Sequence, residues 1–498
     1  MLKFFSEHKF AAVILVAVLV GVIYGGTPLM VWKDFRGNGE LFVLAQFKTY
    51  RDSLYTYLPR AREVYDGYFP PGELSVGKQL PTIQNSLPTL MFSAFVYLWR
   101  GNINAAYLTA QFFFSGVIFI LLYLLGWTLW RSRPWAFFLG IVGVLTPIAT
   151  KLPFLKWHGV SEFTAFFINN FIPFVRTQFD QLYLARIDEP LLTYPIYFLA
   201  ILAFFIFWKR PSRRNAIFAG AATGLIFYAY FHHWVYWVVV VGLLFIHALI
   251  FKRQDREYLK NYLILFASLA VVVIPYFVNY FQFNSLPAAQ DFIYREGVAY
   301  GRSLGILSVN LADYAVYLAL AIIAYFLYWK SDRRKALLFF GMIAAMAIVW
   351  NVQLVVGYSP VPHFFRRAIS PIIFIILFDF LREMARRWEI VRPHAKKIFL
   401  VVLLVLSVFV IAKKLVNIVS IANKIQPHLI DYYNFPSDLV SSWGWINSHL
   451  DPEPKIISPS TMTSLYLMTY TAARPFLPTA FATLLPMRDI EDRYLTAH

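Results

Sequence analysis

The sequence predicts an all-α polytopic membrane protein of about 11 transmembrane helices, with a cytoplasmic N-terminus and a small mixed α/β extracytoplasmic segment at its C-terminal end. Three observations predict it. The 498 residues are 59% hydrophobic and only 14% charged, more apolar surface than a soluble fold can bury, so the bilayer must act as solvent. Apolar runs recur at about 17–25 residues, the length that crosses a ~30 Å hydrocarbon core. Basic residues outnumber acidic ones, 45 to 27, and many of them sit in short connections between the apolar runs. A positive balance placed that way orients a membrane protein and does not mark a nucleic-acid binder. There is no cysteine, which excludes disulfides and thiol chemistry and fits a bacterial or archaeal plasma membrane.

Taken in order, the predicted spans are 10–32, 104–127, 134–150, 189–208, 215–230, 234–251, 261–281, 311–329, 336–356, 364–381 and 398–415. The first, from Phe10 to about Trp32, is too long for a signal-peptide core and lacks a clear small-residue cleavage site, so it reads as a retained span. Five connections are rich in Lys and Arg: 131–133, 209–214, 252–260, 330–335 and 382–397. The positive-inside rule puts all five in the cytoplasm, and they alternate with the other connections if the spans are those above. Leu87–Trp99 is apolar but thirteen residues long, with Pro88 near its start. It reads as a juxtamembrane or re-entrant helix, because counting it as a span would invert every later loop.

The outer face then receives 33–103, 151–188, a Phe231-His232-His233 turn, 282–310, 357–363 and the chain beyond 416. The two longest connections and the tail share one side, so the chemistry is expected there. Residues 1–419 are expected to form a transmembrane module, with outer loops 33–103, 151–188 and 282–310, and residues 420–498 an extracytoplasmic segment. In that segment Asp438–Leu450 reads as a helix, Lys455-Ile-Ile-Ser as a strand and Ser464–Tyr470 as a helix or strand. It stops at Arg493–His498 in what reads as the middle of a domain, and about 80 residues make a marginal core alone. No internal repeat or low-complexity tract is visible.

The first outer loop is charged and aromatic. It places Asp52 three residues before Tyr55, then Ala61-Arg62-Glu63, then Gly67. This resembles the first outer loop of the GT-C superfamily of integral-membrane glycosyltransferases. Ser86-Leu-Pro-Thr-Leu and the short apolar segment after it are similar to that family's juxtamembrane helix. Trp445-Ile-Asn, Tyr470-Thr-Ala-Ala-Arg474-Pro-Phe-Leu-Pro and Glu491-Asp-Arg493 resemble its outer soluble part. The resemblance implies a polyprenyl-phosphate-linked sugar as donor, entering from the outer leaflet of the membrane. It implies inverting transfer to a hydroxyl or amide of a glycan, lipid or protein acceptor on the extracytoplasmic side. It also implies that the loop-one aspartate, here Asp52, sits beside the acceptor as general base, or as a metal ligand in metal-dependent branches. The cofactor expectation is therefore none or a divalent cation (Mg or Mn). The expected partners are the lipid-linked sugar, its acceptor and membrane lipid, and no nucleic acid.

Transfer to a hydroxyl needs a carboxylate to take the proton and positive charge to stabilise the leaving phosphate. Asp52 is the first carboxylate candidate, and Asp34, nearer the exit of span one, is the second. If residues 52–65 are helical, Asp52, Tyr55 and Pro59 share a face, though Pro59 can break such a helix. Asp52 also suits a helix N-cap, and the two roles are compatible. Tyr55, Arg62 and Glu63 are substrate-binding candidates. Arg186-Ile-Asp188-Glu189-Pro190 abuts a span, where charge is costly unless paired or used. It reads either as an Arg186 pair with Asp188 or Glu189, or as Arg186 on a phosphate with an acidic neighbour on acceptor or metal. A cation would need Asp52 to converge with Asp188 or Glu189. Arg295, Arg302, and His363 with Arg366 and Arg367 are phosphate-binding candidates, because guanidinium takes phosphate bidentately. The competing reading of Arg366 and Arg367 is snorkelling to lipid headgroups. His232-His233 reads as aromatic-belt packing or substrate hydrogen bonding. No Gly-rich phosphate loop is present, so nothing supports a nucleotide-sugar enzyme. Two alternatives stand beside the transferase: a flippase or transporter of lipid-linked saccharide, and an envelope polysaccharide polymerase or ligase of another fold. Nearly charge-free span interiors and the lack of a half-repeat argue against the flippase.

Overall fold

The computed structural model describes residues 10–35, 41–42, 57–69, 71, 81, 86–149, 160–172, 184–252, 254–295, 299–301, 311–359, 365–392, 394–422, 434–451, 453–458, 460–477 and 483–497. They are overwhelmingly helical, and a helix occupies each predicted span. In chain order the helices are α1 (Phe10–Phe35), α2 (Leu58–Tyr65), α3 (Ser86–Leu98), α4 (Ile103–Trp130), α5 (Arg133–Leu145), α6 (Val160–Phe171), α7 (Thr193–Lys209), α8 (Arg213–Leu225) and α9 (Phe231–Phe251). They continue as α10 (Arg256–Asn284), α11 (Ala289–Arg295), α12 (Leu311–Tyr328), α13 (Arg333–Val349), α14 (Ser370–Val391), α15 (Ala395–Ala422), α16 (Ser437–His449), α17 (Thr461–Tyr470) and α18 (Met487–Ala497). Among the described residues, five stretches are long and apolar enough to cross a membrane: Ile103–Trp130, Glu189–Lys209, Phe231–Phe251, Arg256–Asn284 and Ala395–Val416.

The basic connections end in residues that restart a helix. Ser212, Asp255 and Asp332 each accept the backbone N–H three residues on, at 3.3, 3.0 and 3.0 Å, capping α8, α10 and α13. Burial then sorts the helices. The span holding α7 is 89% buried and forms the centre, whereas α10 and α15 are 22% buried and lie at the periphery. Close crossings use small residues. A Cβ on Gly21 would come 2.7 Å from the Phe112 carbonyl oxygen, and one on Gly220 would come 2.2 Å from that of Leu265. Thus α1 lies directly on α4, and α8 on α10, as membrane helices without a hydrophobic drive between them tend to do.

All five basic connections meet at one end of the bundle, here the basic end. Buried Asp379 accepts from Trp130 Nε1 at 2.6 Å and Lys335 Nζ at 2.8 Å, and also from the Tyr328 hydroxyl. Lys209 reaches the Thr128 and Leu129 carbonyls, Arg382 lies 5.6 Å over the Trp135 ring, and Tyr258 sits beside Arg334. The opposite, loop end carries the described parts of the first long connection together with the C-terminal segment.

Two details differ from expectation, and a third expectation is met where it is described. The His232-His233 pair is not in a turn: a 3-10 turn at Ile226–Tyr228 reverses the chain earlier, so both histidines open α9. The predicted span 134–150 stops being α-helical at Leu145, and Pro147–Ala149 continues as one 3-10 turn. Of the helix read at 52–65, the described part runs from Leu58 to Tyr65, with Pro59 in its first turn, where a missing N–H costs nothing. Residues 52–56 lie outside the described residues.

The C-terminal segment has the elements read from its sequence. Ser437–His449 and Thr461–Tyr470 are helices, and Lys455–Ile456 pairs in parallel with Arg474–Pro475. Phe435, Trp443, Tyr466 and Tyr470 form its aromatic centre, with Trp443 and Tyr470 stacked at 5.0 Å and 5°. Asn434–Phe435 pairs antiparallel with Leu41–Phe42, which ties the segment to the first long connection.

Candidate active site at the loop end

Two charged residues far apart in sequence meet at the loop end. Glu189 precedes Pro190, and a residue before proline is pushed out of the helical region. Its backbone is extended, at φ −151° and ψ 123°, so its carboxylate sits on a ledge before α7 begins. Arg367 lies in the π-type turn Phe365–Ile369 that leads into α14. Its guanidinium forms an ion pair with the Glu189 carboxylate, which is almost wholly buried. The same guanidinium lies 5.9 Å over the Tyr230 ring.

Aromatic and polar side chains surround the pair. His233 is fully buried and stacks on Tyr197 at 4.3 Å and 9°. Tyr194 packs against the same imidazole at 5.7 Å. Within this cluster the Thr193 hydroxyl, the Tyr194 hydroxyl and His233 Nδ1 are buried and have no hydrogen-bond partner among the described residues.

A second buried cluster holds the loop-one motif. Ala61 and Val64 of α2 pass their carbonyls to Ser93 Oγ (3.3 Å) and the Tyr97 hydroxyl (2.6 Å) on α3. Glu63 is buried and pairs with Arg474 at 3.3 Å, and Arg474 Nε also meets Glu453 at 3.0 Å. The C-terminal segment is thereby fastened onto loop one. Tyr470 adds a 3.5 Å contact to Asn104 at the start of α4. Arg62 turns away from this cluster to Asp66, with Nε 3.0 Å from both carboxylate oxygens, and lies over Tyr65.

The sequence-derived candidates thus fall into three groups. Glu189 and Arg367 are brought together, and Glu63 is brought to Arg474. Arg186 is half-buried just before the Glu189 ledge, while Arg295 donates to the Thr483 and Leu485 carbonyls, both at 2.9 Å, on the C-terminal segment. Asp52, Tyr55, Arg302 and His363 lie outside the described residues, as do the side chains of Asp34, Asp188 and Arg366. Among the described residues no three His, Asp or Glu side chains group as a metal site would require, and Glu189 is matched to a guanidinium. The sequence reading missed Gln111, Tyr197 and Glu453. Gln111 did carry a signal, being an amide inside an otherwise apolar span.

No family model matches the chain, and no curated protein matches it. Among solved structures it is similar to ArnT from Cupriavidus metallidurans bound to undecaprenyl phosphate, at TM-score 0.49 and 13% identity, over 94% of this chain and 85% of that one. The apo form of ArnT gives TM-score 0.48 and 13% identity, over 94% and 84%. The archaeal oligosaccharyltransferase AglB from Archaeoglobus fulgidus, in complex with an inhibitory peptide and a dolichol-phosphate, gives TM-score 0.46 and 11% identity, over 98% and 65%.

Proposed function

We propose that the chain is a GT-C-type membrane glycosyltransferase that moves a sugar from a polyprenyl-phosphate donor to an acceptor on the outer face, with inversion. The observation that carries this reading is the anchoring of loop one. The motif that suggests the family continues directly into α2, whose Glu63 is buried against Arg474 and whose carbonyls are held by α3. A connection that merely joined two spans would have no need of such a platform. The Glu189–Arg367 pair supports the same reading, because charge buried at a membrane edge is retained where it is used.

In the proposed reaction Asp52 takes the proton from the acceptor hydroxyl as its oxygen attacks the anomeric carbon. The bond from that carbon to the phosphate oxygen breaks, and the lipid phosphate leaves with the electron pair. Arg367 is suited to the leaving phosphate. A guanidinium takes phosphate bidentately, which a point charge does not. The buried hydroxyls of Thr193 and Tyr194, without a partner among the described residues, offer hydrogen bonds to sugar hydroxyls. Of the carboxylates a divalent cation would draw on, Glu189 is paired with Arg367, and Asp52 and the Asp188 side chain lie outside the described residues.

The test is kinetic, with purified protein in lipid nanodiscs. Asp52→Asn is expected to lower turnover by about 10²–10⁴-fold, the usual contribution of a positioned base, with the thermal midpoint unchanged. Arg367→Ala is expected to act chiefly on KM for the donor. Near-normal transfer by Asp52→Asn would remove Asp52 from the mechanism. Passage of lipid-linked sugar across vesicle bilayers without glycosidic transfer would favour the flippase instead.

A further inference from the structure

The Glu189–Arg367 pair joins two irregular segments. One is extended before a proline and the other is a loosely wound turn, so neither has a regular hydrogen-bond ladder to fix where its side chain points. Each is held instead by a buried polar side chain from a neighbouring helix. Gln111 on α4 donates Nε2–H to the Ala185 carbonyl at 2.9 Å, four residues before Glu189. His233 on α9 places Nε2 3.0 Å from the carbonyl of Arg367 itself. A carbonyl only accepts, so Nε2 carries the proton. Tyr197 lies flat on that imidazole and sends its hydroxyl to the next carbonyl, Ala368, at 3.0 Å.

Gln111 and His233 are both buried in apolar helices, where a polar group is costly unless its hydrogen bond does something. Satisfying a stray carbonyl is one effect. Fixing the backbone near both ends of the ion pair is the other, because one carbonyl is that of Arg367 and the other lies four residues before Glu189. We infer that Gln111 and His233 are positioning residues: by clamping these two backbones they aim the Arg367 guanidinium at the Glu189 carboxylate. Under the function proposed above, they thereby set how the donor phosphate is received.

The chain has no cysteine, which makes the positioning directly measurable. Glu189→Cys with Arg367→Cys creates a single thiol pair, and a short bifunctional thiol reagent reads their separation. In that background His233→Phe keeps the flat ring but loses the N–H, and cross-linking is expected to fall several-fold. His233→Gln keeps a donor and is expected to restore it. With the native pair present, His233→Phe is expected to lower kcat/KM by about 10- to 100-fold, mainly through donor KM, the scale of a misplacement near 1 Å. His233→Gln should recover most of that loss at an unchanged thermal midpoint. Cross-linking that is the same with and without His233→Phe, or no recovery in His233→Gln, overturns the inference whether or not transfer is seen. The expected cross-linking pattern without transfer by the native chain supports the positioning and overturns the functional reading alone.

Discussion

Arg474 has one guanidinium and two carboxylates to serve, Glu63 in loop one and Glu453 in its own segment. Removing one partner of a buried pair leaves a charge without compensation, at a cost of about 3–5 kcal/mol. Arg474→Ala is therefore expected to lower the thermal midpoint strongly, and Arg474→Lys to fall between, since an ammonium lacks the planar fork. An unchanged midpoint in Arg474→Ala would mean that the C-terminal segment is not fastened this way. At this scale the sequence showed which residues were charged at a membrane edge but not which of them meet. Glu189 and Arg367 are 178 positions apart, and only the approach of the Phe365–Ile369 turn to Glu189 and α7 pairs them. Gln111 stood out as an amide in an apolar span, but its role, like that of Tyr197, lies in the carbonyl it holds, and sequence does not display carbonyls.

Whole helices were far more legible. Span positions follow from apolar length, whereas the Ser212, Asp255 and Asp332 caps that start α8, α10 and α13 a few residues before the expected 215, 261 and 336 are seen in the structure. The His232-His233 turn was misread because a short 3-10 turn, which has no strong sequence signal, moved the reversal upstream. Two expectations belong to helices. The first concerns the α8–α10 crossing, where Gly220 has no room for a Cβ. Gly220→Ala should destabilise by about 1–3 kcal/mol through overpacking. Gly242→Ala in α9 meets nothing within 4 Å and should be neutral or stabilising. Equal thermal midpoints for the two variants would contradict the crossing. The second concerns the basic end of α14, beyond the predicted span 364–381. There Glu383 accepts from Arg386 at 2.7 Å and from Arg387 at 3.1 Å, while Arg387 also reaches the Leu327 carbonyl on α12. Burial pushes the Glu383 carboxyl up, but the two arginines outweigh it and hold it below its ordinary value. A depressed carboxyl stabilises the fold above its unfolded pKa, and that contribution is lost as pH falls through the folded value. The thermal midpoint should therefore drop on acidification from about pH 7 to about pH 3, and drop less in Glu383→Gln. The same acid dependence in both would remove Glu383 from the α12–α14 contact.

For the molecule as a whole, loop charges forecast that five basic connections share one end, and the Asp379 knot and its neighbours bring them there. The fastening of the C-terminal segment to loop one was not forecast, because it depends on a buried contact between positions 63 and 474. These arrangements divide the molecule into a basic end tied together around Asp379 and a loop end that holds the Glu189–Arg367 and Glu63–Arg474 pairs. The central claim is that a lipid-phosphate sugar gives up its sugar at that loop end. The most direct measurement is transfer from a radiolabelled panel of polyprenyl-phosphate sugars to lipid and glycan acceptors, in nanodiscs, with and without divalent cation. Labelled product is expected from at least one donor and is expected to be lost in Asp52→Asn. No product from any donor, with the protein folded, would contradict the claim.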